Sequence, residues 1–264
     1  MRTAGPFSVL RNIYLAARLN RTVDTTRWQP ARVAVIPLET GAPTSIVAAL
    51  TAIAGARLQP DPLVAVDTGP QRELRFLLGA TTGDLSELCT KTEKLLERRR
   101  LRRYVDTDTR SGPSVIAPPV PGVVIGPTGL DKALRQLERH YRSIVVDVPG
   151  AAAHLTREAA HHADRIVAVT TGDRIPDWIT SSDSLLLPLL GTGNAAVVRI
   201  GSARAAGAGD DGAKSIPSFE MRVPRDRQGQ LRLPTNTGGI DLDDVPDDLK
   251  RSAIQLADFV FAAR

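Results

Sequence analysis

The sequence predicts an α/β fold: a doubly wound, mostly parallel β-sheet with helices on both faces, in three layers. Two observations carry that prediction. Short apolar, β-branched runs recur at 32–37, 63–67, 114–117, 143–148, 165–170 and 195–200. Most lack strict alternation, which is how strands buried on both faces of a parallel sheet read. The stretches between them carry helical patterning, and strand–helix alternation implies crossover connections and a doubly wound sheet.

Taken in order, RVAVIP (32–37) is a strand, followed by a loop and an apolar helix over 44–56. LVAVD (63–67) is the second strand, and a helix over 84–103 follows it. SVIA (114–117) leads to a helix over 130–141, SIVVDV (143–148) to one over 155–163, and RIVAVT (165–170) to one over 178–190. After AAVVRI (195–200) comes a last helix over 249–263. The stretch 241–248 holds five Asp and leads into that helix, where carboxylates favour the N-terminus. Two segments read as lying outside the core. Residues 1–30 carry five Arg against one Asp and form a basic extension. Residues 202–215 (SARAAGAGDDGAKS) are Gly/Ala-rich without a period, which predicts a flexible loop. The rest, 31–264, reads as one domain.

The 264 residues include 34 Lys+Arg and 29 Asp+Glu, a net charge of +5, and are 42% hydrophobic and 24% charged. That is a soluble globular composition. A single cysteine, Cys89, excludes an internal disulfide framework and a Cys-based zinc site. It reads as an inert apolar residue on a helix. His161 and His162 read as a solvated helix end. No run of 18 apolar residues exists, and the N-terminus lacks a small-residue cleavage site, so a cytoplasmic protein is expected. The N-terminal segment places Leu10, Ile13, Tyr14 and Ala17 on one helical face. Such a segment packs on its own domain or lies peripherally on a membrane. In the tract 97–103, Arg98, Arg99, Arg100, Arg102 and Arg103 cluster. It reads either as a solvated helix C-terminus or as a contact with nucleic acid, an anionic membrane or an acidic protein patch.

Ligands of parallel sheets bind beyond the carboxyl ends of the strands. The first such loop runs from Pro37 to Ser45 and holds Gly41, Thr44 and Ser45 before a helix, the position of a phosphate cradle. The second strand ends in Asp67 and the fourth in Asp147, so both acids are expected in the same crevice. Beside a bound phosphate they would hold magnesium or orient a water. Read without a ligand, Asp67 and Asp147 cap the turns after their strands, and Thr44 and Ser45 are helix N-caps.

On these motifs the sequence resembles the MinD/ParA-type ATPases, the deviant Walker A group of P-loop NTPase-fold proteins. VAVDTGPQ stands where that family has a strand ending in Asp before a proline turn. IVVDVPGA stands at its Walker B segment, and ADRIVAVTTGD resembles the strand after it. FEMRVPRD resembles its late strand and adenine-side loop. RHYRSIVVDVPG and DTDTRSGPSVIAPP are similar to actinobacterial MinD-like proteins, some of which accompany type VII secretion systems.

The family pattern K-G-G-x-G-K-[ST]-[ST] falls on Leu38 to Ser45. The signature lysine becomes Leu38 and the Walker lysine becomes Pro43, while Glu39, Thr40 and Ala42 replace glycines. Thr44 and Ser45 survive, and Gly41 stands at the variable position. Proline removes a backbone donor, and Glu39 puts a negative charge where phosphates would sit. The resemblance with this departure implies a degenerate site: a pseudo-ATPase acting as a cytoplasmic scaffold or localisation factor. It would be a homodimer beside a secretion or partition machinery, at the membrane or nucleoid periphery. If ATP and magnesium bind, the resemblance assigns them Gly41, Thr44, Ser45, Asp67 and Asp147, with Thr44, Asp67 and Asp147 on the metal and Asp147 in catalysis. Two alternatives stay open. One is an active atypical ATPase in which Arg110 or Arg174 replaces the lysines. The other is a partition factor that binds DNA through the 98–103 tract.

Overall fold

The computed structural model describes residues 28–59, 61–91, 96–107, 109, 112–150, 153–172, 192–201, 216–226, 228–236 and 238–262. Most of the basic extension, the 178–190 helix, the 202–215 loop, Arg110 and Arg174 lie outside the described residues.

The sheet is built from β1 (Arg32–Pro37), β2 (Leu63–Asp67), β3 (Ser114–Ile116), β4 (Ser143–Asp147), β5 (Arg165–Thr170), β6 (Ala195–Ile200) and β7 (Ser218–Met221). Their order is β3-β2-β4-β1-β5-β6-β7. Every pairing is parallel. β2 and β4 are buried along their whole length, as continuous apolar runs covered on both faces must be. A separate antiparallel pair joins β8 (Thr235–Asn236) to β9 (Gly239–Ile240).

Helices cover both faces. α1 (Thr44–Leu58), α2 (Glu73–Leu77) and α7 (Asp247–Phe261) lie on one. α3 (Leu85–Thr90), α4 (Arg98–Leu101), α5 (Pro127–Leu137) and α6 (Ala153–His162) lie on the other. Alternate residues of β1 divide between the two cores, Val33 and Val35 to one and Ala34 and Ile36 to the other. α1 is apolar all round because the sheet and α7 enclose it. Trp28 stacks on Phe261 (6.0 Å between ring centroids), and Gln29 N–H donates to the Phe261 carbonyl (2.8 Å). The chain before β1 is thus tied to the end of α7.

Two expectations are corrected. In place of a single helix over 84–103, the described residues there hold two short helices, because the backbone turns extended at Lys91 (φ −63°, ψ 126°). The exposed arginines form the last turn and C-cap of the second, which is anchored by buried Leu101. His162 is not solvated: its side chain is 11% exposed. Its Nε2 lies 2.8 Å from Asp131 and 3.4 Å from Glu158, and its Nδ1 lies 3.5 Å from Glu138. These contacts staple α6 to α5. His161 is exposed, as expected. Burial pushes the Cys89 thiol up to about 12, which keeps it protonated and unreactive.

Candidate nucleotide crevice

Parallel pairing brings the loops after β1, β2 and β4 to one end of the sheet. Asp67 and Asp147 are directly opposite each other on adjacent strands, and Val35 of β1 is opposite Asp147 on the other side. Both carboxylates are fully buried. The structure therefore brings the two predicted acids together.

Their roles differ. Asp67 accepts from the backbone N–H of Gly69 at one oxygen (2.8 Å) and of Arg75 at the other (2.9 Å). It caps the turn after β2, in agreement with the ligand-free reading. Asp147 caps nothing. Its Oδ2 accepts from the Ser45 hydroxyl at 2.5 Å, and its Oδ1 makes no hydrogen bond. Thr68 secures the strand ends, donating from Oγ1 to the Asp147 carbonyl (2.7 Å). Burial pushes both acids above the ordinary carboxylate range. For Asp147 the charge of Asp67 adds to that rise, and the hydroxyls of Ser45 and Thr44 oppose it.

Neither Thr44 nor Ser45 is an N-cap, which corrects that alternative. Pro43 holds the cap position, and no side chain caps the helix. Both residues are buried, at 2% and 4% exposure, in the first turn of α1. From there Ser45 reaches Asp147.

The loop itself is folded against its own backbone. Ala42 N–H donates to the Glu39 carbonyl (3.2 Å), and Thr44 N–H donates to the Ala42 carbonyl (2.9 Å). Pro43, at φ −81° and ψ 64°, is the centre of an inverse γ-turn. Gly41 sits at φ +85°, the left-handed region that glycine tolerates. Leu38 and Ala42 are buried among apolar residues. The Glu39 carboxylate accepts from both the backbone N–H and the hydroxyl of Thr171, the latter at 2.9 Å, just past the end of β5. From the other side, a Cβ at Gly150 would stand 3.4 Å from Gly41 N, so the loop after β4 lies close over the turn.

Two arginines near the acids were missed by sequence reasoning. Arg72 has φ 60°, the one positive φ outside glycine among the described residues, and its charge pulls Asp67 downward. Arg75 is buried, and its guanidinium donates to the carbonyls of Ala80 (3.2 Å) and Thr81. Burial pulls its pKa below the usual arginine value. The signal was available: both follow the Asp67–Pro70 turn within five residues.

The arginine tract lies elsewhere, beside the amino ends of β2, β3 and β4. Arg98, Arg99, Arg100, Arg102 and Arg103 are all exposed. No helix among the described residues is long and apolar enough to cross a membrane.

No protein-family model and no curated protein sequence matches the chain. Solved structures do match. A ParA family ATPase from Chlorobium tepidum TLS is similar at TM-score 0.61 and 19% identity, covering 86% of this chain and 98% of that one. The septum site-determining protein MinD from Pyrococcus horikoshii OT3, complexed with Mg-ADP, gives TM-score 0.57 and 16% identity over 86% and 94%. Apo McdA from Cyanothece gives 0.54 and 15% over 85% and 98%. The parallel sheet, the helices on both its faces and these likenesses together establish that the chain has the fold of the MinD and ParA ATPases.

Proposed function

We propose that the chain is a MinD/ParA-like pseudo-ATPase: a cytoplasmic scaffold or localisation factor, acting as a homodimer beside a secretion or partition machinery. One observation carries the reading. In the loop after β1, the two N–H groups flanking Pro43 are spent on the carbonyls of Glu39 and Ala42. A phosphate cradle needs such donors turned outward. Pro43 has no N–H to offer, Leu38 is apolar and buried, and Glu39 is anionic. Each missing charge-assisted contact to phosphate removes on the order of 1.5–3 kcal/mol of binding.

The acid pair tells a different part of the story. Asp147, Asp67 and Thr44 form an all-oxygen set, and Asp147 Oδ1 makes no hydrogen bond. That is the donor chemistry a magnesium ion takes. The residues thus suit a divalent cation but not the phosphates it would accompany. Among the structural neighbours, MinD from Pyrococcus horikoshii is complexed with Mg-ADP. Nucleotide binding here would have to rest on the acids and hydroxyls without the lysines.

Calorimetric titration with magnesium and ATP tests the reading, together with a phosphate-release assay. No saturation in the micromolar range and no turnover is the expected result. Micromolar binding with turnover abolished in Asp147→Ala would establish the atypical ATPase instead.

A further inference from the structure

We infer that the chain carries an anion site, distant from the crevice, which takes the phosphate of a phosphomonoester between Arg98 and Arg102. The site is a cavity of about 170 Å³ lined by Pro62, Arg98, Leu101, Arg102, Thr107, Ser114, His140 and Tyr141. It opens beside the amino ends of β2, β3 and β4. Across a five-residue strand it stands about 15 Å from the acids at the carboxyl ends.

Three features argue for phosphate. The first is the lining. Arg98 opens α4 and Arg102 is its C-cap residue four positions on, and both line the cavity. Thr107, Ser114 and Tyr141 add hydroxyls, and among the described residues no carboxylate lines the cavity. The guanidinium fork matches phosphate oxygens bidentately, with hydroxyl donors completing the shell. His140 contributes its ring edge only, because its Nε2 is committed to the Leu96 carbonyl (2.7 Å).

The second feature is the state of the charges. Among the described residues, none of the five guanidiniums in the tract lies within ion-pair distance of a carboxylate. By contrast, Arg32, Arg57 and Arg135 are all paired. Tyr141 is buried, which pushes its hydroxyl above the ordinary phenol value, while its hydrogen bond with Ser114 and, to a smaller extent, the charges of Arg98 and Arg102 pull it the other way. It is therefore a neutral O–H donor at physiological pH, with both guanidiniums close by.

The third feature is size. A cavity of about 170 Å³ has room for one phosphate group with a small substituent. The tract thus divides: Arg98 and Arg102 line the cavity, and Arg99, Arg100 and Arg103 do not.

Titrating the intact chain with inorganic phosphate at fixed ionic strength tests this. Two double variants that each remove two charges are compared: Arg98→Ala/Arg102→Ala and Arg99→Ala/Arg103→Ala. Saturable binding by the wild type is expected, weakened about tenfold or more in the first variant and less than about twofold in the second. Competition by glycerol phosphate in solution would assign the ligand to soluble phosphomonoesters. Competition only by phosphatidate vesicles would assign it to a lipid headgroup, and either outcome supports the site. Absence of saturable phosphate binding, or an equal loss in both variants, overturns it. So does competition by duplex DNA that both variants abolish alike, since that marks a diffuse cationic surface. The crevice is untouched in all these proteins, so the result is independent of whether ATP binds there.

Discussion

The backbone N–H of Thr44 donates to the carbonyl of Ala42 across Pro43, at 2.9 Å. This bond closes the loop on itself at the point where a phosphate-binding helix would present its first donors. The turn's backbone donors are thus committed within the loop itself, which carries neither of the lysines that the resemblance leads one to expect. Replacing Glu39 by Gly and Pro43 by Lys frees the turn, removes the negative charge and supplies a cation. The double variant is expected to gain at least about tenfold in affinity for magnesium and ATP over the wild type, read by calorimetry.

Ser45→Ala removes the 2.5 Å hydrogen bond to Oδ2 of the Asp147 carboxylate, whose other oxygen makes none. Losing a donor to a buried carboxylate costs about 1–3 kcal/mol. Urea unfolding at neutral pH should show a lower midpoint with an unchanged slope. A Ser45→Ala protein as stable as the wild type would mean that this hydrogen bond adds nothing to the folded state.

The acids also set the pH dependence. Asp67 and Asp147 are raised by burial, so in the folded state they hold protons that the unfolded chain has released. Stability therefore falls as pH rises from the ordinary carboxylate range toward neutrality. Asp164 behaves oppositely: burial works against it, but the hydrogen bonds from Arg32 hold it below the usual value. Its contribution is present above that value and is lost as pH falls. A stability maximum at mildly acidic pH follows, and Asp147→Asn should flatten the decline on its neutral side. Thermal unfolding across pH 4–8 for both proteins checks this expectation (roughly the span between the reference carboxylate and histidine values and one unit beyond). A wild-type maximum at or above neutrality would contradict it.

Gly55 faces α7 across the core. A Cβ there would stand 2.6 Å from Phe261 Cε2 and 2.9 Å from Leu63 Cδ1. In an exposed helix, Gly→Ala gains about 1 kcal/mol. Here overpacking opposes that gain by about 1–3 kcal/mol, and Phe261 is itself only 1% exposed and stacked on Trp28. Gly55→Ala is expected to be net destabilising in chemical denaturation, and a stabilised variant would show that the ring gives way.

Much of this arrangement was legible from residue patterns. β1, β2, β5 and β6 coincide with their apolar runs residue for residue, because strands buried on both faces need apolar side chains at every position. The meeting of Asp67 and Asp147 followed from their strand-end positions and a parallel register. What escaped the sequence depends on distant or very short contacts. The tie from Glu39 to Thr171 spans 132 residues. The break after Thr90 has no Gly or Pro to announce it, and in the sequence Leu85, Leu88, Leu95 and Leu96 keep helical spacing across it. α2 starts at an arginine in the left-handed region, a position where sequence leads one to expect glycine. His162 looked solvated because its partners Asp131 and Glu138 belong to a different helix. The division of the arginine tract between a cavity and an open surface likewise depends on Tyr141 and Ser114 in other elements.

The proposed pseudo-ATPase reading requires that the loop from Leu38 to Ser45 hold no nucleotide. Calorimetric titration of the wild-type chain with ATP in excess magnesium tests it most directly. The account predicts no saturable heat in the micromolar range. A micromolar dissociation constant, abolished when Asp147 is replaced by Ala, would contradict it.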